Sequence, residues 1–287
     1  MRHRYRRGRA PPGERALSRV PADPSSGHHP QSGFHSVEWL AELIGTALLV
    51  TGGLSAVSFD FSPHSPLATV LPSPSWRLLV TGVLFASSGA VVTISPLGRR
   101  SGAHLNPAVT FAMWMQGKVH PHDLAGYSVS QMIGAAVGTL AARTLWGGRT
   151  ASVRFGLTQP GHGLNPAGAV LVEAAMTAAL ILVIFSFLSS RRTMHWTPLA
   201  VLVTVAVLVW LVAPYTGTSL NPARSSGPAL IGADWHDYWV YVAGPLSGSV
   251  LAAGLWALTP RVVLSAKLFH DTRYRSVLGA SLPTKTG

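Results

Sequence analysis

Two short boxes, "SGAHLNPAVT" at 101–110 and "SLNPARSSGPA" at 219–229, carry Asn106, Pro107 and Ala108 in the first and Asn221, Pro222 and Ala223 in the second. Asparagine is a strong helix N-cap, and proline at the first helical position loses no hydrogen bond because that N–H is orphaned anyway. Each box therefore opens a helix. The cap uses the asparagine side-chain oxygen and leaves its NH₂ to donate outward. Small Ala108 and Ala223 let two such starts touch. Each start carries about half a positive charge, so a facing pair presents about one unit, hostile to cations and protons. A neutral solute with lone pairs meets donors there. Backbone carbonyls of Gly102, Ala103 and His104 before the first box, and of Gly217, Thr218 and Ser219 before the second, would supply a matching acceptor line. Arg224, directly behind the second cap, places a permanent cation where it donates to a solute and repels ions.

These residues need a scaffold, and composition says which kind. The chain has 287 residues, 48% hydrophobic and only 11% charged, which points to a polytopic membrane protein. A bilayer core about 30 Å thick takes about 20 mostly apolar residues per helix. Six stretches qualify, at roughly 36–58, 77–97, 122–145, 166–188, 196–214 and 237–259, with tryptophans near their ends as interfacial anchors. Segments 107–117 and 222–232 reach only about 16 Å as helix, roughly half the core. They dip in without crossing, behind non-helical lead-ins at 101–105 and 214–220. Such backbone is tolerated at membrane depth only where protein buries it or it lines a watery cavity.

"AELIGTALLV" from Ala41 resembles "VEAAMTAALILV" from Val172, placing Glu42 with Thr46 in one copy and Glu173 with Thr177 in the other. Each copy is followed by two further spans and holds one half-helix. Three spans per copy force opposite orientations, an inverted repeat with its site between the halves. The expected fold is thus all-α, with six transmembrane helices, two re-entrant half-helices and repeat halves at about 36–145 and 166–260. Residues 1–35, rich in Arg, Pro, Ser and His, read as a disordered basic tail without a signal-peptide pattern, and 261–287 as a second basic tail.

The formal charge of +12 does not indicate a nucleic-acid partner, because the cations are segregated. The tails and the two loops on their side hold 17 Lys and Arg; the opposite side holds four, with Arg224 left over. Both termini are therefore expected in the cytoplasm. No cysteine is present, which excludes disulfides, thiolate metal sites and a thiol nucleophile. No metal-ligand spacing, nucleophile elbow or acid pair stands at pore depth, so neither an enzyme nor a cofactor is expected.

The paired boxes, the repeat and the paired glutamates make residues 36–260 resemble the aquaporin, or major intrinsic protein, family. The resemblance implies a homotetramer in the plasma membrane with one pore per subunit, passing water and small uncharged solutes passively. It also implies a selectivity filter at Ala86, Val209, Thr218 and Arg224. Water-selective members typically carry an aromatic residue and a histidine at the first two positions. Here both are small or aliphatic, implying a wider constriction suited to glycerol, urea or undissociated metalloid acids. Phe85 is one register away and would restore the aromatic, giving a strictly water-selective pore. Glycerol facilitators usually have Asp after the arginine and a basic residue four further on; this chain has Ser225 and Ala229.

Competing readings attach to several residues. Glu42 and Glu173 are either structural braces for the lead-ins or proton relays of a coupled secondary transporter. His104 is a hydrogen-bonded structural residue or a pH gate. Asn165 with Pro166 reads as the plain start of the fourth span, Gly134 and Gly138 as a small-residue helix contact, and His28 and His29 as solvated tail. Pro228 is expected to kink the second half-helix.

Overall fold

The computed structural model describes residues 34–161 and 163–270. They form α1 Ser36–Phe61, α2 Pro66–Val70, α3 Pro74–Ile94, α4 Pro96–Ser101, α5 Pro107–Met115, α6 Pro121–Trp146, α7 Gly148–Ser152, α8 Pro166–Leu188, α9 Thr197–Thr216, α10 Pro222–Ile231 and α11 Val240–Ala257, with no strand among the described residues. Six of these helices are long enough to cross a bilayer. Five, α1, α3, α8, α9 and α11, are also strongly apolar. The sixth, α6, runs for 26 residues but is diluted by Asp123, Gln131 and Thr139, all fully buried inside the bundle rather than turned to lipid. Proline at the first turn starts α2 to α6 and α8 to α10, where its fixed φ and absent N–H cost nothing.

The two halves pack by the same device. α1 lies against α6, where a Cβ on Gly134 would come 2.3 Å from the Leu43 carbonyl and one on Gly138 2.5 Å from that of Ala47. α8 lies against α11, where Gly248 stands in the same relation to Ala174 at 2.4 Å and Gly244 to the Glu173 Cβ at 2.6 Å. Any side chain at these four positions would force the backbones apart. The first pair was legible as a small-residue motif, and its partner on α11 completes the repeat.

One expectation changes. The second lead-in does not begin at Pro214. That proline sits inside the last turns of α9, which ends at Thr216, and only Gly217 to Leu220 are non-helical. Pro228 lies inside α10, which continues to Ile231. Besides Glu42 and Glu173, the spans enclose Glu38 and Asp60 within α1 and Asp123 within α6, all buried. These three sit near span ends beside partners: Arg100 is 2.8 Å from Glu38, Thr81 donates to Asp60 at 2.5 Å, and Asp123 accepts from Trp39 at 2.8 Å.

Beyond α11 the chain folds back onto the bundle. Val263, Ser265, Ala266, Lys267 and Leu268 are buried, and the Leu264 N–H donates to the Leu188 carbonyl at 3.0 Å. Basic composition suggested a tail from residue 261. Residues 263–268 pack instead as a strap, with the Lys267 ammonium donating to the Arg99 carbonyl. Residues 1–33, with His28 and His29, lie outside the described residues.

Candidate functional site

The half-helices α5, nine residues, and α10, ten residues, meet tip to tip. Asn106 caps α5 by accepting from the Ala108 N–H at 2.9 Å, and Asn221 caps α10 by accepting from Ala223 at 2.9 Å and Arg224 at 3.2 Å. Each asparagine also reaches across the junction. Asn106 Nδ2 donates to the Leu220 carbonyl and Asn221 Nδ2 to the Leu105 carbonyl, both at 2.8 Å. One proton of each NH₂ is thus spent on clasping the opposite lead-in, leaving the other for a solute. Pro107, Ala108, Pro222 and Ala223 form the first turns behind the asparagines, with Ala108 and Ala223 fully buried.

The lead-ins are strained. Gly102, Ala103 and Leu105 have φ of 101°, 54° and 53°; Gly217, Thr218 and Leu220 have 75°, 48° and 58°. For non-glycine residues the left-handed region costs of order 1–2 kcal/mol each. The buried glutamates hold this backbone. Glu42 Oε1 accepts from the Ser101 hydroxyl at 2.6 Å and the His104 N–H at 3.0 Å, and its Oε2 from the Leu105 N–H and Gln131 Nε2, both at 2.7 Å. Glu173 accepts from the Ser219 and Leu220 N–H groups at 2.9 and 2.8 Å. Tyr127 and Tyr241 repeat the symmetry, donating to the Ser101 and Thr216 carbonyls at 2.7 and 2.8 Å.

A cavity of about 380 Å³ runs beside both tips. Its walls include Phe61 and Leu78 from one end of the antiparallel spans and Thr93, Pro198 and Leu268 from the other, so it follows the length of the bundle. Asn106, Asn221, Ala103, His104, Thr218, Ser219, Gly217 and Arg224 border it on one side; Leu49, Val57, Leu180, Ile184, Val201 and Val205 supply apolar wall. Gly102 is absent from that lining. Its carbonyl accepts from the Leu268 N–H at 3.0 Å, in a turn where a Cβ would lie 2.7 Å from the Ala266 carbonyl. His104 has both ring nitrogens engaged, Nε2 with the Ala266 carbonyl at 2.8 Å and Nδ1 with the Thr110 hydroxyl at 3.2 Å. Nε2 must donate, since a carbonyl only accepts.

Ala86, Val209, Thr218 and Arg224 all border this cavity, and so does Phe85. Gly82, one turn before Ala86, brings α3 onto α9 with its virtual Cβ 3.0 Å from the Val209 Cβ. The Phe85 ring fills the groove that Gly53 leaves on α1, and the Arg224 guanidinium lies 5.4 Å from its centre. Aromatic and arginine therefore touch while Ala86 keeps the adjacent wall small. The other hold on the arginine comes from the loop before α8, where the Gly156 carbonyl accepts from Nη1 at 2.7 Å. Nothing in "RFGLT" at 154–158 signalled that partner. Leu268 in the strap was likewise missed, because a basic setting hid a buried residue.

Asn165 caps α8 by accepting from the Gly168 N–H at 2.7 Å, so the third Asn-Pro-Ala is the start of a full span, away from the cavity. Glu42 and Glu173 also stand outside the cavity lining.

Fold and site together define a membrane-embedded channel architecture, with two opposed half-helices meeting beside a lengthwise cavity. The family model described as Major intrinsic protein matches residues 31–256, and the chain belongs to that family. It is 33% identical over 219 residues to Aquaporin NIP1-1 of Zea mays, covering 76% of this chain and 72% of that one. It is 31% identical over 232 residues to Aquaporin Z of Photorhabdus laumondii, covering 76% and 95%. The probable aquaporin AqpM of Archaeoglobus fulgidus is 40% identical over 182 residues, covering 61% and 74%. Among solved structures, the aquaglyceroporin from Plasmodium falciparum superposes with a TM-score of 0.65 at 22% identity, covering 78% of this chain and 96% of that one, a likeness of fold. The chain is accordingly a multi-pass membrane protein of a channel family, not of an enzyme family.

Proposed function

We propose that the chain conducts water and small uncharged solutes of the glycerol, urea or undissociated metalloid acid type down their own gradients, and excludes ions and protons. The observation that carries this reading is the reciprocal clasp of Asn106 and Asn221 at the joined positive tips of α5 and α10, beside a cavity lined by residues from both ends of the spans. A water passing the clasp has its oxygen engaged by the free asparagine protons and cannot relay a proton along the file. A cation meets about one unit of helix-end charge and then the Arg224 guanidinium. The apolar wall opposite binds nothing, which keeps transit fast.

Small Ala86 and Val209 favour a constriction wide enough for a polyol, and the Phe85 ring, held aside by Gly53, favours the same. The contact between Phe85 and Arg224 supports the narrower alternative, a strictly water-selective pore. A proton-coupled carrier is disfavoured because Glu42 and Glu173 spend their oxygens on lead-in donors and stand outside the cavity. We place both termini in the cytoplasm of a plasma-membrane homotetramer. Stopped-flow light scattering on proteoliposomes given water, glycerol and urea gradients tests the reading. Uptake of glycerol or urea well above empty vesicles is the expected result. Water flux without either solute overturns the wide filter, and uptake driven by an imposed proton gradient overturns the passive mechanism.

A further inference from the structure

At the end of the bundle where α1 begins, three imidazoles and a carboxylate converge. His35 caps α1, His120 caps α6, and His122 and Asp123 occupy the first turn of α6. Asp123 is fully buried, with Oδ1 accepting from Trp39 Nε1 at 2.8 Å and Oδ2 bonded to His35 Nδ1 at 2.7 Å. Both carboxylate oxygens are then satisfied, yet a second histidine nitrogen points at the same place. His122 Nε2 lies 3.5 Å from Asp123 Oδ2, is shielded from solvent and has no hydrogen-bond partner. His120 stacks on the His122 ring at 5.4 Å and fixes that face.

We propose that His35, His122 and Asp123 form a binding site for a divalent transition-metal ion of the zinc class. Their ligand atoms all lie within 4.8 Å of one another. Two ligands of a tetrahedral ion at about 2.05 Å stand about 3.3 Å apart, close to the separation between His122 and Asp123. The shorter contact of Asp123 with His35 must open by roughly half an ångström, as a metal replaces the shared proton. Imidazole nitrogens with one carboxylate oxygen select borderline ions such as Zn²⁺ or Co²⁺ over Mg²⁺ or Ca²⁺. Trp39 supplies the outer hydrogen bond that orients the ligating carboxylate. Three protein ligands leave a position for water. The site was invisible in sequence because His35 and His122 lie 87 positions apart.

The test titrates the purified full-length chain, carrying His28→Ala and His29→Ala to silence the tail, with Co²⁺, following the visible absorption of low-coordinate cobalt and its bleaching by Zn²⁺. One saturable site per chain is expected. His122→Ala, or the milder His122→Gln, should weaken it at least about a hundredfold, and Trp39→Phe about tenfold to a hundredfold. A titration with no saturable absorption, or an affinity that His122→Ala and His35→Ala both leave unchanged, overturns the site.

Discussion

Replacing each buried glutamate by glutamine separates bracing from proton relay, and the geometry sets an order of effects. Glutamine keeps one acceptor oxygen and turns the other position into a donor. At Glu173 this leaves one of the Ser219 and Leu220 N–H groups facing an NH₂. At Glu42 every orientation leaves two donors unmatched, because each oxygen accepts two. An orphaned buried donor costs about 1–3 kcal/mol. Glu173→Gln should therefore lose about 1–3 kcal/mol and Glu42→Gln about 2–6 kcal/mol. The strain at Leu105 and Leu220 then goes unopposed, and the lead-ins relax into the cavity. Unfolding midpoints in one detergent, with water flux per channel from proteoliposomes, check this. Both variants should unfold earlier and conduct less, Glu42→Gln more so. Unchanged midpoints, or the reverse order, would refute the bracing argument; loss of a proton-driven flux at wild-type stability would establish relays instead.

Three further variants probe other parts of the site. Ala86→Phe combined with Val209→His should narrow the constriction, lowering glycerol flux far more than water flux in the same vesicles. Arg224→Val removes the cation and leaves the Gly156 carbonyl unpaired, and vesicles carrying a pH-sensitive dye should report proton or sodium leak absent from the parent. Gly102→Ala puts a Cβ 2.7 Å from the Ala266 carbonyl at φ 101°; it should cost about 2 kcal/mol or more and expose the strap to protease, while leaving α10 and its filter residues in place.

Much of this site was legible because it rests on local rules. An Asn-Pro pair states a helix start, an eleven-residue apolar segment cannot span, and a glutamate in an apolar repeat demands donors. What stayed hidden depends on distant partners. The two asparagine amides clasp across 114 or more residues of chain. Gly156 reaches Arg224 from a loop whose composition is unremarkable. The strap at 263–268 follows from what covers it, not from its charge. Pro214 was read as the start of the non-helical lead-in, but α9 runs through it and Gly217, in the left-handed region, ends the helix three residues later. Phe85 and Ala86, neighbours on α3, both border the cavity, so sequence position alone does not choose between them.

The claim on which the rest depends is that the joined tips of α5 and α10 pass neutral solutes while refusing protons. The direct measurement is simultaneous osmotic shrinkage and internal pH in proteoliposomes holding the full chain, under an imposed proton gradient. The account predicts shrinkage far faster than in empty vesicles, with internal pH drifting no faster than theirs. A pH change that keeps pace with the shrinkage, or shrinkage no faster than in empty vesicles, would contradict it.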